Sequence, residues 1–176
     1  MLAWRTAVQI LQIPSSALLL LIGPSGSGKS TFARAHFQPT EILSSDYFRS
    51  VVSDDESNQK ATADAFEVLH LVLEKRLQRG KLCVVDATNV RAADRSGLLA
   101  QARKFRRPAV ALVLETPESL AVARAGTRAD RIVEAEIVKR QMADLSRSLD
   151  TLEREGFAKV FKLNPADQVE IRRIDC

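Results

Sequence analysis

Gly23-Pro24-Ser25-Gly26-Ser27-Gly28-Lys29-Ser30 has the pattern G-x-x-x-x-G-K-[ST] of a phosphate-binding P-loop. The apolar residues at 17–22 precede it, between Pro14 and Gly23, and are typical of a buried central strand. Residues 31–35 follow it and can continue a helix. A strand, a glycine-rich turn and a helix are the context that a P-loop requires, which argues against a chance Gly/Ser turn.

The residue types of this segment suit a nucleoside triphosphate. Glycines allow backbone N–H groups to converge on phosphate oxygens, and the N-terminus of the following helix adds partial positive charge. Lys29 is placed to reach the β- and γ-phosphates, and the Ser30 hydroxyl to ligate Mg²⁺. We therefore expect ATP or another NTP to be bound by Gly23, Ser25, Gly26, Ser27, Gly28, Lys29, Ser30 and Thr31.

Length and composition fit a single soluble domain. The chain has 176 residues, 45% hydrophobic and 27% charged, so we expect one domain over 1–176 with a substantial core. A net charge of +4 favours an anionic partner only weakly, because an NTP site itself needs cations. With two cysteines, no signal peptide and no apolar run long enough for a membrane span, the cytoplasm is the expected location.

Strand and helix patterns alternate along the chain. Helices are expected from the P-loop to about 37, at 61–79 and 92–105, from Pro117 onward and at 134–155. The expected strands are 17–22, 41–44, 82–86, 109–114 and 159–163, with a short strand within 4–13 and a possible edge strand at 169–174. This alternation predicts an α/β, doubly wound, mostly parallel five-stranded sheet with helices on both faces. Ligands then collect at the carboxyl ends of the strands.

Asp46 and Arg49 follow the second of these strands. An Asp beside the γ-phosphate can accept the proton of an attacking hydroxyl. If a helix begins near Asp46, Arg49 lies on the same face and can hold a phosphate of the acceptor. The alternative is that Asp46 only caps the helix, since Asp is a favoured N-cap residue.

Two further groups complete the candidate site. Asp86 closes an apolar strand, an arrangement that binds Mg²⁺ directly or through water, although strands often end in Asp. Arg124, Arg128 and Arg131 share one helical face, and a mobile lid at about 117–135 would bring Arg124 and Arg128 over the triphosphate. The alternative is an exposed basic face paired with Asp130 and Glu134.

Other polar and apolar features predict less. The basic run at 103–107 can contact nucleic acid, but cations also suit a helix C-terminus. His36 and His70 lie in predicted helices without a nucleophile motif, so no role is assigned to them. Phe66, Leu69, Leu73 and Leu77 are expected on one face of their helix.

These motifs together resemble the 5′-kinase domain of bacterial polynucleotide kinase-phosphatases, which are end-healing RNA repair enzymes of the P-loop kinase superfamily. The resemblance runs from about 8 to 165. It is carried by the P-loop, Ser44-Ser45-Asp46 with Arg49, Asp86-Ala87-Thr88-Asn89-Val90, Arg124 with Arg128 and Asp130-Arg131, and the segment 152–157. The P-loop and Asp-Ala-Thr-Asn occur in many small P-loop kinases, whereas the Asp46/Arg49 pair with the arginine-rich segment is more specific.

The resemblance implies transfer of the γ-phosphate of an NTP to a 5′-hydroxyl end of RNA or DNA, with Mg²⁺. It implies Asp46 as general base, Arg49 on the nearest acceptor phosphate, Lys29 and Ser30 on the nucleotide and Mg²⁺, and Arg124 and Arg128 on the donor phosphates. Asp86 orients neighbouring groups in this picture. Family members often carry phosphatase and ligase domains after the kinase, and a homodimer is possible.

Two other classes of protein remain open. One is a small-molecule kinase of similar fold, acting on a sugar, nucleoside or antibiotic. The other is a nucleotide switch or ATP-driven nucleic-acid binding module, which would hydrolyse NTP without labelling an acceptor. The Asp46-x-x-Arg49 pairing argues modestly against the second class, because such a module needs no hydroxyl base.

Overall fold

The computed structural model describes residues 8–127 and 133–175. The helices are α1 (Lys29–His36), α2 (Ser45–Ser53), α3 (Thr62–Gln78), α4 (Ala92–Lys104), α5 (Glu118–Gly126) and α6 (Ala135–Leu152). The strands are β1 (Gln9–Pro14), β2 (Leu18–Ile22), β3 (Ile42–Ser44), β4 (Cys83–Asp86), β5 (Ala109–Leu114), β6 (Lys159–Leu163) and β7 (Val169–Ile174). None of these helices combines the length and the apolar character needed to cross a membrane.

A five-stranded parallel sheet with the order β3-β4-β2-β5-β6 lies at the centre of the fold. All five residues of β2 are buried, as expected for an apolar run that has neighbours on both sides and layers on both faces. Gly23 follows β2 directly, so the P-loop begins where the most deeply buried strand ends. The predicted α/β sheet is therefore confirmed, with its strands within one or two residues of the expected bounds.

The two faces of the sheet are covered by different layers. Alternate side chains of β2, β4 and β5 point to one face and pack with α3, α4 and α6 in the larger core. The remaining side chains of these strands pack on the other face against α1 and the apolar residues of β1 and β7. Helices therefore lie on both faces, but part of one layer is itself built from strands.

The C-terminal strand is not an edge of the central sheet. β7 pairs in parallel with β1, from Gln9 opposite Val169 to Pro14 opposite Ile174, in a separate two-stranded sheet. Leu11 and Ile13 of β1 are fully buried and cover the apolar surface of the central sheet. β7 pairs with this covering strand, so it lies over the face of the central sheet rather than beside β6. Arg173 then fastens β7 to the segment before β3 through two bonds of 2.6 and 2.7 Å to the Glu41 carboxylate.

A buried arginine joins α4, α6 and the loop after β4. Arg95 has no exposed surface, although it shares the inner face of α4 with Leu98, Leu99 and Ala102. Its guanidinium donates to both Glu155 oxygens, at 2.7 and 2.5 Å, and to the Asn89 carbonyl at 2.7 Å. A buried cation requires such partners, because its desolvation would otherwise cost several kcal/mol.

Glu155→Gln should lower the free energy of unfolding by about 3 kcal/mol, because Arg95 would stay charged and buried without its counter-charge. Urea unfolding followed by circular dichroism measures this loss. Arg147→Ala is the matched control, since Arg147 pairs with Asp144 but its side chain is 74% exposed, and it should cost less than about 1 kcal/mol. Equal losses in the two variants would contradict the role given to the buried pair.

Candidate active site

Three strand ends meet at one edge of the central sheet. In the register of the sheet Asp86 of β4 stands opposite Ser44 of β3 on one side and opposite Leu21 of β2 on the other. The P-loop follows β2, the segment with Asp46 follows β3, and Asp86 itself ends β4. These ends open into a cavity of about 1020 Å³, at the place where parallel α/β sheets bind ligands.

The P-loop has a backbone conformation that strongly favours glycine at two positions. Gly26 and Gly28 have φ angles of 79° and 95°. A Cβ on Gly26 would also lie 2.1 Å from the Ala121 carbonyl oxygen, so the loop is packed tightly against α5. Thr116 holds the other side of the loop, since its hydroxyl donates to the Ser27 carbonyl at 3.0 Å. The loop shape is therefore set by its neighbours as well as by its own sequence.

The loop after β4 is hydrogen-bonded to the first residue of the P-loop and to the strand before it. The Gly23 N–H donates to the Thr88 carbonyl at 3.0 Å, and the Asn89 amide donates to the Leu21 carbonyl at 2.8 Å. Asn89 is buried and has a φ angle of 50°, a conformation that Asn tolerates better than most residues. The Asp-Ala-Thr-Asn sequence thus has a structural role that sequence reasoning did not assign to Thr88 and Asn89.

Lys29 folds back over the loop that precedes it. Its ammonium donates to the carbonyls of Gly23 and Pro24 at 2.9 and 2.7 Å and lies 3.3 Å from the Ser27 hydroxyl. The Lys29 side chain is buried. Lys29, Ser30 and Thr31 all line the cavity. Of the other residues predicted for nucleotide binding, Ser25, Gly26 and Gly28 also line the cavity, whereas Gly23 and Ser27 do not.

Ser30 and Asp86 are neighbours at the floor of the cavity. Burial raises the pKa of the Asp86 carboxyl, and the charge of Asp46 raises it further, while Lys29, a hydrogen bond from Ser30, and Arg34 lower it. A hydroxyl and a carboxylate next to a phosphate-binding loop are the donors that Mg²⁺ takes from proteins, so they fit the predicted ion. Within the described ranges no group of three or more His, Cys, Asp or Glu side chains could hold a metal. An ion at this place would therefore complete its shell with nucleotide oxygens and water.

Asp46 does not cap α2. Ser44 is the N-cap, and its hydroxyl accepts the Tyr47 N–H at 3.3 Å. Asp46 lies in the first turn, lines the cavity and pairs with Arg49 one turn later. Arg49 is buried, and its Nε donates to the Glu56 carbonyl at 2.7 Å. The alternative that Asp46 caps α2 is therefore wrong, because Ser44 occupies the N-cap position.

Arg124 is on the cavity side of α5. It lines the cavity, and its Nη1 lies 3.9 Å from where a Cβ on Gly28 would be. α5 ends at Gly126, so Arg124 lies in its last turn. Arg128, Asp130 and Arg131 lie outside the described residues, so the choice between a lid and a solvated basic face stays a prediction.

α3 presents a second stripe of side chains to the cavity. Gln59, just before the helix, and Thr62, Phe66 and His70 on it all line the cavity. Phe66 was expected on one face with Leu69, Leu73 and Leu77; those three are fully buried with Ala65, whereas Phe66 packs against the core but is only partly buried. Phe66 and Leu69 are three positions apart, so Phe66 lies at the border of the apolar face rather than on it.

Gln141 of α6 was not predicted, although it contacts the P-loop directly. Its side-chain oxygen accepts the Ser25 N–H at 2.8 Å, and the residue lines the cavity. α6 buries Val138 and Leu145 on its inner face, and Gln141 stands three and four positions from them. A polar residue so close to the inner face was the available signal in the sequence.

Asp86→Asn should make the nucleotide-free protein more stable and less active. Because burial raises the pKa of Asp86, the folded chain binds this proton more tightly than the unfolded chain, and stability falls as pH rises from the ordinary carboxyl pKa through the raised one. Calorimetry should therefore show a higher Tm for the variant at neutral pH, and a smaller difference below the ordinary carboxyl pKa. Mg²⁺-dependent phosphate transfer should fall about tenfold or more. A lower Tm at neutral pH would contradict this account.

Gln141→Glu should weaken ATP binding about tenfold and ADP binding less. The variant keeps an oxygen to accept the Ser25 N–H but adds a negative charge beside the phosphates, and ATP carries more negative charge than ADP. Isothermal titration calorimetry with both nucleotides measures the two Kd values. Arg147→Ala, a change on the exposed side of the same helix, serves as control. Equal weakening of ATP and ADP would mean that Gln141 acts only by shaping the loop.

Comparison with solved structures confirms the fold. A chain in the structure of the Pnkp1/Rnl/Hen1 RNA repair complex superposes with a TM-score of 0.66 at 21% identity, covering 80% of this chain and 47% of that chain. A gluconokinase from Sinorhizobium meliloti 1021 matches with a TM-score of 0.54 at 17% identity, covering 88% and 86%. A shikimate kinase from Acinetobacter baumannii matches with a TM-score of 0.51 at 22% identity, covering 85% and 84%. The present chain thus spans about half the length of the RNA repair protein and most of the length of the two small-molecule kinases.

In sequence, no curated protein matches the chain significantly. The family model AAA_33, described as an AAA domain, matches residues 18–152, which run from the start of β2 to the end of α6. The likeness to an RNA repair kinase that the motifs predicted is confirmed in the fold. With most of its residues matched by that model, the chain belongs to the AAA_33 family and has a P-loop kinase-like fold.

Proposed function

We propose that the chain is a polynucleotide kinase that transfers the γ-phosphate of ATP, or of another NTP, to the 5′-hydroxyl end of RNA or DNA. The observation that carries this proposal is the placement of Asp46 and Arg49. Their paired side chains line the same cavity as the P-loop, at the end of the strand next to Asp86. A protein that only hydrolyses NTP has no acceptor alcohol and no acceptor phosphate on which such a pair could act, which argues modestly against that class.

The donor nucleotide is held by the P-loop and the cations around it. Lys29 would exchange the carbonyls of Gly23 and Pro24 for the β- and γ-phosphates, which are stronger partners for an ammonium. Backbone N–H groups at the start of α1 bind the same phosphates. Arg124, placed beside Gly28, adds positive charge from α5, and Arg128 is proposed to do so from the lid.

Phosphate transfer needs a base and an in-line acceptor. Asp46 accepts the proton of the 5′-hydroxyl while that oxygen forms a bond to the γ-phosphorus. The bond from the γ-phosphorus to the β–γ bridging oxygen breaks, its electron pair stays on that oxygen, and a nucleoside diphosphate leaves. Arg49 is positioned to hold the phosphate that follows the terminal sugar, because it is fixed by Asp46 and the Glu56 carbonyl.

Mg²⁺ would be held by Ser30 and Asp86 and would neutralise charge on the β- and γ-phosphates. Burial makes the charged form of Asp86 costly, so this carboxylate gains more from a nearby cation than an exposed one would. The Ser30 hydroxyl, hydrogen-bonded to Asp86, is oriented by it. Asp86 thus positions Ser30 as well as supplying a charge.

The charge of the cavity suits a polyanion. Among the described residues it is lined by five cationic side chains and three carboxylates: Lys29, Arg34, Arg49, Arg91 and Arg124 against Asp46, Asp86 and Asp94. The basic run at 103–107 contributes less, because Lys104 pairs with Glu74 and Arg107 donates to the Leu77 carbonyl. The interpretation of that run as a helix end is therefore favoured, and nucleic acid is proposed to enter at the cavity.

The similar structures support the proposal in different ways. The match with the higher TM-score is to an RNA repair complex, which agrees with a role in end healing and with phosphatase or ligase domains fused to the chain or acting with it. The gluconokinase and shikimate kinase match over most of their own length, which favours a small-molecule acceptor as the second candidate. The two candidates differ in what must fill the acceptor side of the cavity.

A labelling experiment separates these candidates. γ-Labelled ATP is offered with a 5′-hydroxyl oligonucleotide, the same oligonucleotide carrying a 5′-phosphate, and a panel of sugars, nucleosides and antibiotics. Label on the first substrate alone is the expected result. Label on a small molecule alone would establish the second candidate, and release of free phosphate without any labelled acceptor would indicate an NTPase module.

Asp46→Ala should reduce transfer to the 5′-hydroxyl oligonucleotide by a factor of about 10² to 10⁴ and leave the Kd for ATP nearly unchanged. The reason is that the carboxylate acts on the acceptor, whereas the donor is held by the P-loop. Single-turnover labelling and calorimetric titration measure the two quantities. Transfer at a near wild-type rate would show that Asp46 is not the base.

A further inference from the structure

The α3 wall is a stripe of four side chains that line the cavity from α3 and the turn before it: Gln59, Thr62, Phe66 and His70. The last three are spaced by four residues, which places them on one face of the helix over about 12 Å. None of them takes part in the phosphate chemistry described above. The wall therefore contributes surface to the cavity that the proposed transfer step does not use.

Phe66 is the main apolar surface of this wall. The side chain packs against the larger core at one edge but remains half-buried and faces the cavity, unlike Ala65 and Leu69, which have no exposed surface. Its ring centroid lies 6.5 Å from that of His70, with the planes tilted by 43°. The two rings do not share one plane, but a flat aromatic group can stack on the face of either ring.

His70 supplies the second ring of the α3 wall, and this ring is neutral. Burial lowers the pKa of its imidazole. The Gln101 amide nitrogen lies 3.2 Å from His70 Nδ1 and donates to the His70 carbonyl oxygen at 3.4 Å, which holds the imidazole in place. A neutral ring can stack on a base without adding charge.

The wall is continuous with the residues that act on the acceptor. Arg49 donates to the Glu56 carbonyl, and Glu56 lies in the short connection between α2 and the turn that carries Gln59. Asp46, Arg49 and the α3 wall all line one cavity. A nucleotide whose 5′-oxygen is at Asp46 and whose next phosphate is at Arg49 therefore shares the cavity with this wall, which offers its base an apolar surface.

We propose that the α3 wall binds the nucleobase of the 5′-terminal nucleotide, with Phe66 as the stacking surface. This inference rests on the proposed polynucleotide kinase function and adds a requirement for an unpaired terminal base. Stacking tolerates any base, because every base has a flat face, so the wall would favour nucleic-acid ends without selecting their sequence. A paired terminal base would have to leave its own helix stack first.

The test is a cycle that removes the ring from the protein and the base from the substrate. The substrates are a single-stranded 5′-hydroxyl oligonucleotide and the same oligonucleotide with an abasic 5′-terminal residue, which keeps the 5′-hydroxyl and the following phosphate. For the wild type, loss of the base should raise KM about tenfold. Phe66→Ala should raise KM about tenfold for the complete oligonucleotide and leave it unchanged for the abasic one. The Kd for ATP should not change.

Matched variants distinguish the loss of stacking from a loss of folding. Phe66→Trp keeps a stacking ring and should restore the low KM, whereas Phe66→Leu keeps apolar packing without a ring and should behave like Phe66→Ala. Leu71→Ala, on the exposed side of the same helix at 56% exposure, should match the wild type. The comparison of the two substrates with the wild type alone does not depend on any variant.

Three outcomes would overturn the inference in distinguishable ways. If the wild type labels both oligonucleotides with the same KM, the terminal base is not bound and the wall has another role. If Phe66→Ala raises KM equally for both substrates, Phe66 only supports the cavity. If the wild type labels neither oligonucleotide but labels a nucleoside or a sugar, the polynucleotide kinase proposal fails together with the inference.

Discussion

The parallel register of three strands is the constraint on which the site depends. Ser44, Asp86 and Leu21 stand side by side across β3, β4 and β2, and neighbouring strands are about 4.8 Å apart. The segments that follow them therefore start from fixed points at the same edge. A slip of one residue in β4 would turn Asp86 to the other face of the sheet and separate it from Ser30. Fully buried apolar residues in β2 on both faces make such a slip costly.

The site also depends on hydrogen-bond partners that hold its charged and polar groups in place. Lys29 is satisfied by loop carbonyls, Arg49 by Asp46 and the Glu56 carbonyl, and the Ser25 N–H by Gln141. Asp86 differs, because burial penalises its charge more than its neighbours favour it. A group that weakens the nucleotide-free fold in this way is what a site for a cation and phosphates is expected to contain. The nucleotide and its ion would repay that cost on binding.

Sequence patterns predicted most of the fold because they reflect local physics. The P-loop, the apolar strands and the helix boundaries follow from periodicity, glycine and proline positions, and each is found within a few residues of its expected place. The two-stranded sheet of β1 and β7 was missed, because those strands are more than 150 residues apart and only the shape of the exposed sheet face brings them together. Arg95 could not be assigned either, since its partner Glu155 is 60 residues away, beyond β5, α5 and α6.

The candidate site was predictable where a motif carries its own chemistry. Lys29, Ser30, Asp46, Arg49 and Asp86 belong to motifs and do line one cavity. Gln141 and Phe66 belong to none, and their importance arises only from where α6 and α3 pack against the cavity. Phe66 has the same helical spacing as the core residues Leu69 and Leu73. It lies at the edge of their face, however, where α3 borders the cavity. Such positions need coordinates, because periodicity resolves a helix face only to about one residue.

The central claim is that Asp46 faces the hydroxyl that receives phosphate. A crystal structure of the chain with a non-hydrolysable ATP analogue, Mg²⁺ and a 5′-hydroxyl oligonucleotide tests it most directly. The account predicts that the terminal 5′-oxygen lies within hydrogen-bond reach of the Asp46 carboxylate, about 2.6–3.2 Å, and in line with the γ-phosphorus. An Asp46 side chain turned away from the 5′-oxygen, or an oligonucleotide bound outside the cavity, would contradict it.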